Sequence, residues 1–184
     1  MKTLFAFALA SMLSAGAGHT TTLSVGSLGG VVGGPTVTLP EATLTSSDAF
    51  YFGGASTVPG SFCALDASAY NCEADLTISF VSPVTNLMFQ VSGWHTGDFV
   101  QLSIFDTLNN LLGIVGIGSD FAVLDLSSYG SIGSLFFDDS STGAGVAYSD
   151  FSFDQGASPI PLPAAGWLML AGLGALAAAR RTRR

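Results

Sequence analysis

From Thr3 to Ala179 the chain contains no lysine and no arginine. Its five basic residues are Lys2 at one end and Arg180, Arg181, Arg183 and Arg184 at the other. All 13 carboxylates lie between them, from Glu41 to Asp154, so this interval carries a formal charge of −13. Such a body forms no Lys or Arg salt bridge, and it lacks the facing cations that nucleic-acid binding requires. Metal cations, Ca²⁺ included, are its natural counter-charges. Histidine is nearly absent, with His19 and His95 alone. There is no G-x-S-x-G, no H-E-x-x-H and no D-x-D-x-D-G, so the usual signatures of a serine hydrolase, a zinc protease and a Ca²⁺ loop are all missing. These absences point to a non-enzymatic protein that needs no cofactor.

What is present suits a secreted all-β domain. Charged residues make up 10% of the chain and hydrophobic ones 48%, which is too apolar for disorder. Glycine (23) and phenylalanine (14) are abundant, and the apolar residues alternate. Leu76, Ile78 and Phe80 fall on one face of a strand, as do Leu87, Phe89 and Val91, and again Val100, Leu102 and Ile104. Further strands are predicted over 111–117, 121–126, 132–137 and 146–153. Turn chemistry separates them in "VSPVTN", "SGWHTGD", "DTLNN", "GIGSD", "SSYGS" and "DDSSTGAG". The stretch up to Tyr51 is richer in glycine and is expected to add edge strands. Short strands with no helical period between the two ends predict an antiparallel β-sandwich or jelly roll.

Both ends read as addresses. Lys2, an apolar run from Leu4 to Leu13 and the small residues Ala15-Gly16-Ala17 form a secretory signal, so 1–17 is expected to be a cleaved helix. That leaves 18–157 as the secreted domain and 158–184 as a tail. In the tail, 164–179 is uncharged. As a helix it rises roughly 24 Å, short of a ~30 Å hydrocarbon core, but arginine side chains can snorkel. It is read as a single transmembrane helix whose four arginines stop transfer on the cytoplasmic side. The "GLGALA" within it matches a dinucleotide fingerprint only by letters, since no strand precedes it. Prolines 159, 161 and 163 keep the preceding segment extended.

A proline motif, a short apolar helix and a terminal arginine cluster together resemble the PEP-CTERM class of sorting signals. Ile160-Pro161-Leu162-Pro163-Ala164 is similar to its VPLPA variant, with Ile in place of Val. The resemblance covers about 25 residues. It implies an exosortase substrate, that is, a protein cut near the motif by an integral-membrane cysteine-type transpeptidase. It further implies export across the inner membrane of a Gram-negative bacterium, a membrane-anchored precursor, and delivery to the cell surface or an exopolysaccharide layer. It says nothing of the body. There, "VTNLMFQVSGWHTGDFVQLSIFDTLNNLLGIVGI" and the late "GVAYSDFSFD" resemble the central and closing strands of galactose-binding-like jelly rolls.

Four sets of residues in the body are candidates for chemistry. Cys63 and Cys72 lack CxxC spacing and a nearby histidine, so in an oxidising compartment they are expected to form a structural disulfide. Closing a loop of about 10 residues is worth ~2.7 kcal/mol on chain entropy. Trp94 and His95, in a glycine-flanked loop, could stack on and bond a sugar, although a Trp there more often plugs the loop. Asp138 and Asp139 before "SSTGAG" are weak Ca²⁺ candidates, as are Asp150 and Asp154, read as flanking the last strand. His19, at the signal junction, is expected to dangle. The sequence reading is a structural or adhesive surface protein, with a carbohydrate-binding module as the first alternative and a secreted hydrolase as the second.

Overall fold

The structure is a computed structural model that describes residues 19–32, 34–53, 60–93, 95–118 and 121–156. The signal segment 1–17, the tail 158–184 with its sorting motif and arginines, and Trp94 lie outside the described residues. Among the described residues the fold is all-β. Its strands are β1 (His19–Thr22), β2 (Gly30–Val32), β3 (Thr36–Thr38), β4 (Ala42–Ser46), β5 (Ala49–Phe52), β6 (Phe62–Leu65), β7 (Leu76–Gly93), β8 (Val100–Phe105), β9 (Leu111–Ile117), β10 (Ala122–Asp125), β11 (Ile132–Asp139) and β12 (Val146–Gln155). Short 3-10 turns lie at Val25–Ser27 and Ser127–Tyr129. All the strand ladders are antiparallel.

The 18-residue β7 organises the molecule by belonging to two halves. Leu76–Phe80 pairs with β4 on one side, while Leu76–Ser79 pairs with β11 on the other. Farther along, Met88–Val91 pairs with β10 and Met88–Gly93 with β12. One half therefore runs β3-β4-β7-β11-β8-β9, and the other β10-β7-β12-β6-β5-β2, with β1 along the end of β12. The sequence reading placed a turn at "VSPVTN"; the strand instead runs straight through it. Pro83, which has no N–H to donate, sits where β7 passes from one set of partners to the other. Asn86 (φ 51) then makes a bulge, and the buried positions shift phase from Leu76, Ile78 and Val84 to Leu87, Phe89 and Val91. A second bulge at Asp150 (φ 51) in β12 restores the register. Asn and Asp tolerate this left-handed backbone better than other non-glycine residues. Asn86 also donates from Nδ2 to Asp154 Oδ2 at 2.7 Å, which ties the two bulged strands together.

The two halves pack face to face in a β-sandwich-like arrangement. Phe137 of β11 lies 5.8 Å, ring centre to ring centre, from Phe89 and 4.6 Å from Tyr148, both of the other half. The ring contacts continue through Phe151, Phe62, Phe52 and Phe50. Each such pair adds roughly 0.5–1.5 kcal/mol beyond the burial of its area. Val100, Leu102 and Ile104 share one face as predicted, and that face is fully buried, as are Leu87 and Val91. β9 has the predicted bounds; β11 and β12 run two residues longer than predicted. Edge strands do come from the N-terminal stretch, in β2 and β3. His19 does not dangle, because its backbone pairs with Gln155 in β1.

Candidate functional site

Three segments distant in sequence meet at one end of the sandwich. They are the stretch 63–75, whose first ten residues the disulfide closes, the loop 95–99 and the turn 139–145. Cys63 and Cys72 are bonded, with Cα atoms 5.5 Å apart. Cys72 donates its N–H to Ala144 O at 2.8 Å, and Val146 donates to Cys72 O at 3.3 Å, so the disulfide loop is stitched to the turn. Gly145 (φ +80) is required here: a Cβ on it would collide with the carbonyl of Cys72. Asp98 holds the third segment. It is 2% exposed; its Oδ2 accepts the His95 N–H at 2.8 Å and its Oδ1 accepts the Gly145 N–H at 3.3 Å. Gly143 completes the contact, since an added Cβ would lie 2.9 Å from His95 Cβ and 2.8 Å from Asp98 Oδ1. His95 itself is exposed on this rim.

The electrostatics of the rim follow from its lack of cations. Asp139 is pushed up to about 6, first by burial and then by the neighbouring charges of Glu73 and Asp98, against hydrogen bonds from Ser141 that act in the opposite direction. Its Oδ1 accepts the Ser141 N–H at 2.9 Å, while its buried Oδ2 has no hydrogen-bond partner among the described residues. Its own N–H donates to Asp75 Oδ1 at 3.1 Å. Beneath it, burial, then Asp139 and Asp75, raises the Tyr148 hydroxyl well above its ordinary value. The rim can therefore take up and release a proton near pH 6.

The structure brings His95 and Asp139 to the same rim. It does not bring Asp138 and Asp139 to one point, because successive strand residues face opposite ways. Asp138 pairs with exposed Gln101 and Asp139 with buried Val100. Asp150 and Asp154 lie inside β12 and do not flank it. Asp150 is exposed at its bulge, and Asp154 accepts from Thr20 Oγ1 at 3.2 Å and from Asn86. Among the described residues no group of three or more His, Cys, Asp or Glu is placed to hold a metal ion. Sequence reasoning missed Asp98, Asp75 and Glu73. Asp98 lies in the turn stretch "SGWHTGD", where an aspartate reads as ordinary turn chemistry.

Two clefts lie away from this rim. One of about 510 Å³ is bordered by Thr22, Leu23, Gly60 and the Asp150 bulge. The other, of about 370 Å³, lies between β7 and the β8–β9 hairpin. Compared with known proteins, the chain matches no family model, and no curated protein matches it.

Proposed function

We propose that this chain is an exported protein, sorted through its C-terminus, whose body acts at the cell surface or in the extracellular matrix. In this reading 1–17 is removed on export, 18–157 is the working domain, and 158–184 is handled by an exosortase-type enzyme. The observation that carries the reading is Ile160-Pro161-Leu162-Pro163-Ala164, followed by 15 uncharged residues and four arginines. The extended proline segment gives a membrane peptidase a strand to grip, and the helix behind it sets the distance of the cut from the bilayer. The disulfide between Cys63 and Cys72 supports an oxidising destination. The body is a jelly roll of the galactose-binding-like kind, a reading supported by the long β7, the polar turn of the β8–β9 hairpin and the closing β12. Its role is structural or adhesive, without catalysis.

The sorting step is tested by replacing Pro161 and Pro163 with alanine. The variant should be exported but not processed; normal processing would refute the reading. A second reading, a carbohydrate-binding module working through the Trp94–His95 loop, is favoured by the way Asp98 fixes that loop on the rim. Retention on a polysaccharide affinity gel that is lost in Trp94→Ala would select it.

A further inference from the structure

The outer face of the half containing β3, β4, β7 and β11 carries a hydroxyl pattern that core packing does not require. Ser134, Ser79, Thr43 and Thr38 stand directly opposite one another across four adjacent strands. Next to them runs a second row, Phe136, Thr77, Thr45 and Thr36. Residues between the rows point inward: Leu44, Ile78 and Leu135 are fully buried. Neither row contains a charge, on a body whose formal charge is −13. Strands about 4.8 Å apart place the four hydroxyls of the first row along roughly 14 Å.

That row leads into the 370 Å³ cleft. β7 contributes Ser79 and, on the same face, Val81 and Pro83, both exposed; β11 contributes Ser134. The far wall is the hairpin turn with Thr107 and Asn109. The turn lies directly on β11, because residue 133 is glycine: an added Cβ would sit 2.6 Å from Asp106 O and 2.8 Å from Thr107 Cα. Asp106 stiffens the turn by accepting the N–H groups of Leu108 and Asn110, each at 2.8 Å, and the Asn110 side-chain amide at 2.8 Å. Those bonds occupy both of its oxygens. Among the described residues the hydroxyls of Ser79, Ser134 and Thr107 have no side-chain partner.

We propose that this face binds a neutral saccharide chain, with one sugar ring seated in the cleft and the chain continuing across the strands along the hydroxyl row. Hydroxyls and an amide each donate and accept, which matches sugar hydroxyls that do the same. Val81 and Pro83 offer an apolar surface to the C–H face of the ring. An anionic polymer is repelled by the body, and a hard cation finds one carboxylate, already hydrogen-bonded, where it needs several. The volume is in the range of small-ligand sites. This inference stands apart from the sorting reading and competes with the Trp94–His95 reading, because it places the sugar away from Trp94.

The test is affinity electrophoresis of the protein recovered from the producing cells, in gels containing neutral glucans or galactomannans, with alginate as the anionic control. The native protein should be retarded by at least one neutral polysaccharide and not by alginate. The variant Ser79→Ala/Ser134→Ala should bind about tenfold more weakly with an unchanged thermal midpoint, and Trp94→Ala should bind as the native protein does. Thr107→Trp, which fills the cleft from an exposed turn, should also abolish retardation. The proposal is overturned by no retardation in any neutral gel, by equal retardation in alginate, or by retardation indifferent to the serine pair and to Thr107→Trp. It is overturned too if those changes alter sedimentation mass instead, since the face would then join copies of this chain.

Discussion

The same strands present two unlike faces. Inward, β7, β11 and β12 bring together Phe89, Phe137, Tyr148, Phe151 and Phe153, each 2% exposed or less. Outward, β4, β7 and β11 show Thr43, Thr45, Thr77, Ser79 and Ser134, with no charge among them. The inner face removes apolar area from water and so carries the stability. The outer face contributes little of that kind, which leaves its composition available for a partner. With no lysine or arginine to form surface ion pairs, the fold relies on aromatic packing and on backbone-directed caps such as Asp98 and Asp106.

Substitutions should separate the two faces. Phe137→Ala, which opens a cavity where the halves meet, should lose ~3–5 kcal/mol in denaturant unfolding; a loss below about 1 kcal/mol would mean that the halves do not depend on each other. Replacing Cys63 and Cys72 by serine should lose ~2–3 kcal/mol and loosen the rim, read as faster hydrogen exchange around 95–99 and 140–145.

The rim should show itself in pH dependence. Asp139 titrates at about 6 instead of near 3.8, so the folded state holds this proton more tightly than the unfolded chain. Its contribution is therefore fully present below about pH 4, is lost as the pH rises to about 6, and is constant above that. On the order of 1 kcal/mol is at stake once solvent screening of a partly exposed carboxyl is allowed for. Asp139→Asn should abolish that slope in thermal unfolding between pH 4 and 7. The smallest effect belongs to the outer face: Thr45→Ala should change stability by less than ~0.5 kcal/mol. A large loss there would show that the hydroxyl rows hold the sheet together and would remove the contrast between the faces.

Much of the inner face is legible in the sequence, because alternation over Val100–Ile104 or Leu87–Val91 is an unambiguous period of two. The misses have physical causes. β6, "FCAL", is buried at all four positions, so it shows no alternation. "VSPVTN" carries proline and asparagine, which serve a bulge in a continuing strand as readily as a turn. At the rim, His95 and Asp139 stand out by residue type. Their place on one rim does not, since it depends on Asp98 and Phe99 bonding the turn at 140–145 across a long separation. The outer rows are visible as "TVT", "TLT" and "TIS", but only strand register makes them neighbours.

If the tail is a sorting signal, the body works outside the cell. The most direct test is the intact mass of the mature protein, taken from cells with and without the exosortase-type enzyme. Loss of the tail near Pro163 that requires the enzyme is the predicted result. Arg180, Arg181, Arg183 and Arg184 retained in both strains would contradict it, leaving a body tethered at the inner membrane.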